Sequence, residues 1–351
     1  MSDVTAGARL HGGSGALRAG VFVGLFAALF AALIFAIGAG RFAVSPGRIA
    51  EIILAYIAAP TAPLENIDER IVLLVRMPRV LIAAVSGAAL AVGGAALQGV
   101  FRNPLVSQQV LGISQGAAFG GALAILLGYA GVTLLGLAFI FGLAALVVVG
   151  LLARINGRTE IVTVILSGMV VGALFSALVS VVQFVADPNT SLPAIVYWLM
   201  GSFSTATWAR FWLGLPGLAI GIVAVWLFRY RLNLLALEDT EARSLGVNPD
   251  RERWFIFVAT ALMTATSVAI AGIVGWIGLV IPHAARILVG EDHRVLIPAS
   301  AILGAAYLTF VDTLARTLTA AEIPLGVLTA LIGAPVFGLL LRRHFSKANQ
   351  P

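Results

Sequence analysis

Residues 78–101 read PRVLIAAVSGAALAVGGAALQGVF, an apolar run broken by one charge, Arg79. A bilayer core about 30 Å thick requires ~20 apolar residues in one helix. This run supplies them, with glycines at 87, 93, 94 and 99. Small residues at such spacings let helix backbones approach closely, which is how helices associate in lipid. The stretch reads as a membrane-spanning helix, and the chain repeats the pattern. Further runs fall at 19–39, 108–128, 131–152, 161–186, 209–228, 253–271, 273–290, 295–316 and 323–341. The first is longer than the ~7–15 residues of a signal h-region and ends without a small-residue cleavage site. The expected fold class is all-α, a polytopic membrane protein of about ten transmembrane helices.

Composition leads to the same class. The 351 residues are 60% hydrophobic and 11% charged, with a mean hydropathy of +1.03. Soluble domains carry ~25% charged residues, so a soluble enzyme, a disordered chain and a coiled coil are excluded. With no cysteine there is neither a disulfide nor thiolate chemistry. The net charge of +6 comes from arginines set between apolar blocks, which indicates a membrane rather than a nucleic-acid partner. Placing both termini inside puts fifteen of the 22 basic residues on the cytoplasmic side, the arrangement the positive-inside rule favours. Five outer arginines at 41–79 run against that rule. Residues 1–18 read as a cytoplasmic tail, 19–345 as one membrane domain and 346–351 as a C-terminal tail. Segments 41–77 (outer) and 229–252 (inner) are too long for simple turns. The second to fifth and seventh to tenth spans have opposite orientations, which permits an inverted repeat.

Polar residues are few. FRNPLVSQQVLGISQGAAFGG (101–121) sets Arg102, Asn103, Gln108, Gln109 and Gln115 at a junction of two spans, with Pro104 discouraging helix. It is either an interfacial loop or a re-entrant element. Asp312 and Arg316 stand four apart on one helix face and can neutralise each other. No chain of buried acids or histidines suggests a proton or sodium relay, which argues against an ion-coupled secondary transporter. No catalytic motif and no metal-binding spacing occur, and the single lysine, Lys347, precludes a phosphate-binding glycine loop with its lysine. Uphill transport by this chain would draw its energy from a partner.

LNLLALEDTEARSLGVNPDR (232–251) breaks the apolar pattern. Leu237, Ala242 and Leu245 can form an apolar stripe, Gly246 stops a short helix, and Asn248-Pro249 starts another. The segment is either a solvated loop or an amphipathic helix pair presented to a cytoplasmic protein.

At this point the chain resembles the FecCD-type permeases, the membrane subunits of type II ABC importers for iron siderophores, haem and vitamin B12. The blocks that carry the resemblance are RMPR (76–79), GAALAVGGAALQGVFRNPLV (87–106), LGISQGAAFG (111–120), YWLMGS (197–202) and LEDTEARSLGV (237–247). GIVGWIGLVIPHAARILVGEDHR (272–294), DTLART (312–317) and EIPLGVLTALIGAPVFGLLL (322–341) complete them. Ser-Gln-Gln at 107–109 departs from the pattern, where a proline commonly follows the NPL turn. The resemblance implies a non-catalytic permease subunit in a bacterial inner membrane, working as a homodimer with two cytoplasmic ATP-binding subunits and a periplasmic binding protein. ATP and magnesium belong to the ATPase, and no cofactor is bound by this chain. It implies coupling helices about 232–251, docking the ATPase through Leu237, Glu238, Asp239, Ala242, Leu245 and Gly246. It assigns Arg76, Arg79 and Arg316 to docking of the binding protein. By polarity alone Ser176, Ser180, Gln183 and Phe184 line the path. The implied cargo is an iron complex, a ferric siderophore ahead of haem, with cobalamin as the alternative.

Overall fold

A computed structural model describes residues 4–40, 42–155 and 158–348. Residues 1–3 and 349–351 of the two tails, and Arg41 among the outer arginines, lie outside the described residues. Among those described the chain is helical except for its links and a two-residue pairing of Arg154–Ile155 with Arg158–Thr159. The helices are α1 (Val4–Gly38), α2 (Pro46–Ala58), α3 (Ile67–Val100), α4 (Ile113–Leu126), α5 (Gly131–Ala153), α6 (Ile161–Val185) and α7 (Ser191–Leu199). They continue as α8 (Trp208–Leu235), α9 (Asp239–Ser244), α10 (Pro249–Ala271), α11 (Ile277–Val289), α12 (His293–Thr317) and α13 (Leu325–Ala348).

Seven of these are long and apolar enough to cross a membrane: α1 from Arg18, α3, α5, α6, α8, α10 and α12. The remaining three candidate spans are the shorter apolar helices α4, α11 and the Leu325–Leu339 part of α13. At 1.5 Å per residue, the 14 residues of α4 and 13 of α11 cover only about 20 Å. Irregular chain at 101–107 with a 3-10 turn at Gln108–Leu111, and the link 272–276, make up the rest.

The structure adds detail to two segments and moves one boundary. The expected tail at 1–18 is helical from Val4, the first residue of α1. The outer segment 41–77 holds an amphipathic helix, α2, capped by Ser45 and pinned where Arg48 meets Asp68 and Glu69. The span expected at 78 begins at Ile67 instead and passes through a π turn at Ile71–Arg76. Pro78 explains that turn. Its ring cannot follow a normal helical carbonyl and it has no N–H to give, so the helix widens. The carbonyl of Leu73 thereby loses its partner, and the indole of Trp208 donates to it at 2.8 Å.

The core runs through α3 and α10, each with 78% of its apolar window buried, against 17% for α1. Glycine allows this density: a Cβ on Gly87 would lie 2.2 Å from the carbonyl oxygen of Gly304 on α12. The links between helices satisfy one another's backbone, as unwound chain at membrane depth requires. Ser202 N donates to Ala271 O (2.7 Å), Leu325 N to Gly201 O (2.8 Å) and Gly326 N to Met200 O (2.8 Å).

Candidate functional site

Polar chemistry gathers at the two ends of the bundle and along one seam between them. At one end α1 stops at Gly38, leaving its last carbonyls without helical donors. Arg76 donates to Ile37 O (2.6 Å) and Gly38 O (3.0 Å) and also reaches Phe42 O. Arg316 donates to Ala39 O (2.7 Å) and to Ala36 O. Two guanidiniums thus cap a helix C-terminus, where the dipole favours positive charge. Beside them Arg79 holds Asp312 through Nε and Nη2 (2.8 Å for the closest contact) and Glu322 through both terminal nitrogens (2.8 and 2.9 Å). Asp312 is 1% exposed.

The expected Asp312–Arg316 pair is therefore secondary, with Arg316 Nε 3.9 Å from the carboxylate that Arg79 occupies. Arg76, Arg79 and Arg316, the residues expected to dock a binding protein, all lie at this end of the bundle. Arg76 and Arg79 are buried, the Arg316 side chain is 9% exposed, and the terminal nitrogens of all three bond within the chain, whereas Arg316 Nε has no hydrogen-bond partner among the described residues.

At the opposite end the chain leaves α8, forms the six-residue α9, and turns at Gly246 into α10. Gly246 has φ +80°, the left-handed region a side chain disfavours. The expected helix pair is one short helix followed by the base of a span, because Asn248 caps α10 directly through the N–H of Arg251. The expected stripe is not formed either. Ala242 is buried, whereas Leu237 (37%) and Leu245 (59%) are exposed with Glu238 and Gly246. Asp239 anchors the segment, accepting from Arg102 Nη2 (2.9 Å) and Arg253 Nη1 (3.0 Å). These contacts, the one from Arg253 foremost, hold its carboxyl below the usual carboxylate range. Arg102 itself sits at φ +51°, a costly conformation for a residue with a Cβ, and also donates to Leu235 O (3.1 Å). Arg102 and Arg253 are functional candidates that the sequence did not single out. Nothing local links them to Asp239; the only signal is Arg102's place beside the Asn103-Pro104 turn.

The seam follows 101–121, and the structure decides between its two readings. Gln108 is buried and its amide donates to Leu90 O, so the segment re-enters the bundle. A small cavity of about 20 Å³ includes Gln108, Ser114, Thr264 and Ser267 in its lining, room for about one water. On α6, Ser176, Ser180 and Phe184 stand on one open face, Phe184 being 90% exposed, while Gln183 is half-buried on the flank. Val162, Leu166 and Met169 continue that face. The buried carboxylates Asp312 and Glu252 are each paired with an arginine, so neither is poised as a proton carrier. No cluster of His, Cys, Asp and Glu able to hold a metal occurs among the described residues.

A bundle of long and half-length helices with re-entrant links and a short surface helix between two spans is that of a type II ABC importer permease. The chain belongs to the FecCD transport family, whose model matches residues 28–343. It is 41% identical over 309 residues to the molybdate import permease MolB of Haemophilus influenzae, covering 88% of this chain and 91% of that one. It is 40% identical to the hemin transport permease HmuU of Yersinia pestis (77% and 82% covered). It is 39% identical to the cobalamin import permease BtuC of Halobacterium salinarum (82% and 78%). A solved inward-facing metal-chelate-type ABC transporter superposes with a TM-score of 0.83 at 38% identity, over 92% of this chain and 98% of that one. Members of this family are transport subunits without catalysis of their own, working with ATPase and binding-protein partners.

Proposed function

We propose that two copies of the chain form the path of an ATP-driven importer in a bacterial inner membrane, with both termini in the cytoplasm, and that the cargo is a ferric chelate. The observation that carries this reading is α9. Leu237 and Leu245, which flank it, are open to solvent, while Asp239 ties it to Arg253 of α10 and to Arg102 just beyond the end of α3. A force applied there by a soluble ATPase reaches two central helices directly. The open face of α6 suits the second copy and a path lined by Ser176, Ser180, Gln183 and Phe184, neutral side chains matched to a bulky chelate. The binding protein docks at the Arg79 end. There three arginines against two carboxylates leave a net positive field that attracts acidic side chains and orients them.

A second reading, molybdate as cargo, is favoured by the 41% identity to MolB across 88% of the chain. Co-purification of the ATPase followed by uptake into ATP-loaded vesicles, with labelled ferric siderophore, haem, cobalamin and molybdate, separates the cargoes. ATP-dependent accumulation of the ferric chelate is the expected result; preferential molybdate uptake moves the assignment to the second reading. Accumulation against a gradient with no nucleotide hydrolase present overturns both.

A further inference from the structure

Next to Gly246 is a cleft of about 500 Å³ between the end of α8 and the start of α10. Its walls include Arg231, Asn248, Arg251 and the stacked rings of Phe228 and Phe255, 3.9 Å between centroids. Each helix presents a charged head on an apolar stripe. On α8 the stripe is Arg231, Leu227 and Val223, four residues apart; on α10 it is Arg251, Phe255 and Val258. Leu227 (60%), Val223 (51%) and Val258 (55%) are all exposed on helices that cross the membrane, so the cleft continues into a flank that faces lipid tails. On the same turns of α8 Trp226 and Tyr230 are exposed, and the Arg229 guanidinium lies over both rings at 4.1 and 4.8 Å. Trp and Tyr mark the headgroup level of a bilayer.

The charge balance is positive. Glu252 lies beneath Arg231 and pairs with it, leaving 57% of the Arg231 side chain exposed. Arg251 is exposed, and its side chain has no acidic partner among the described residues. Arginines over apolar stripes, on a helix that carries exposed Trp and Tyr at the same level, match an amphiphile with a phosphate head and two tails. We propose that this cleft binds an anionic phospholipid, its phosphate between Arg231 and Arg251 and its acyl chains along Val223, Leu227 and Val258. Bound there, the lipid abuts Gly246, the hinge residue between α9 and α10, and so stiffens the element that receives the ATPase. The site depends only on this end lying at a membrane surface, and it stands whichever cargo is carried.

The test uses purified full-length protein, titrated with phosphatidylglycerol or phosphatidylcholine and read by native mass spectrometry as lipid retained. The wild type should retain phosphatidylglycerol saturably and at least tenfold more tightly than phosphatidylcholine, with no displacement by millimolar inorganic phosphate. Arg251→Gln, which disturbs no internal pair, should weaken retention about tenfold. Arg231→Gln/Arg251→Gln should abolish the preference. Arg210→Gln, at the opposite end of the bundle, should leave it unchanged. Equal retention of both lipids, full retention by Arg251→Gln, equal loss in Arg210→Gln, or displacement by free phosphate would each overturn the proposal.

Discussion

Replacing Arg79 by methionine removes the guanidinium but keeps most of the apolar stem, so the change tests charge rather than packing. The structure sets the size of the effect. Asp312, 1% exposed, loses its contacts with Nε and Nη2, and its remaining cation is Arg316 at 3.9 Å. Glu322, 31% exposed, can turn to water and contributes little to the loss. Stranding one carboxylate of a buried pair costs ~3–5 kcal/mol. Arg79→Met should therefore lower unfolding stability by about 3 kcal/mol or more. Adding Asp312→Asn removes the stranded charge, so the double variant should be more stable than Arg79→Met alone by at least ~1 kcal/mol, a coupling expected of residues in direct contact. Unfolding in mixed micelles titrated with denaturing detergent, followed by helical circular dichroism, measures both. A loss below about 1 kcal/mol in the single variant, or no recovery in the double, would refute the view that this pair is an internal strut.

Three further outcomes follow from the same geometry. Gly87→Ala places a methyl 2.2 Å from the Gly304 carbonyl and should cost ~1–3 kcal/mol or more, read by the same unfolding assay. Gly246→Val forces a β-branched residue toward φ +80°, a strain of ~1–2 kcal/mol; binding-protein-stimulated ATP hydrolysis should fall while the melting of the spans is unchanged. The Asp239 clamp has a pH dependence with a definite sign. Its folded-state pKa is depressed, so its contribution is complete above the unfolded value of ~3.9 and is lost as pH falls through the lower folded value. Protease access to 237–246 should be flat from about pH 7 to 5 and rise only below about pH 4, whereas Asp239→Asn should raise it at every pH.

Hydropathy alone located all ten apolar helices. Each candidate run overlaps an observed one, because exclusion of backbone polar groups from lipid leaves a spanning chain few choices. Boundaries failed where polarity misled. Ile67–Arg76 carries Asp68, Glu69, Arg70 and Arg76, so it reads as loop, yet it is helix whose charges point to α2 and to the end of α1. The family blocks fall at the two ends of the bundle but could not say what their residues touch. Leu245 is exposed as docking requires, while Ala242, from the same motif, is packed inside.

What the linear chain determined is the class: ten greasy segments, a basic bias to one side, a polar insert at 232–251, and no machinery for chemistry. The local composition of each segment is enough to fix these, since burial in lipid is a property of twenty residues at a time. The partners of the arginines were decided only by the tertiary structure. Arg79 meets Asp312 and Glu322 across 233 and 243 residues of sequence, and Arg102 meets Asp239 across 137. Charge pairing acts over a few ångströms in space and is indifferent to distance along the chain, so it becomes legible only once packing has brought the helices together.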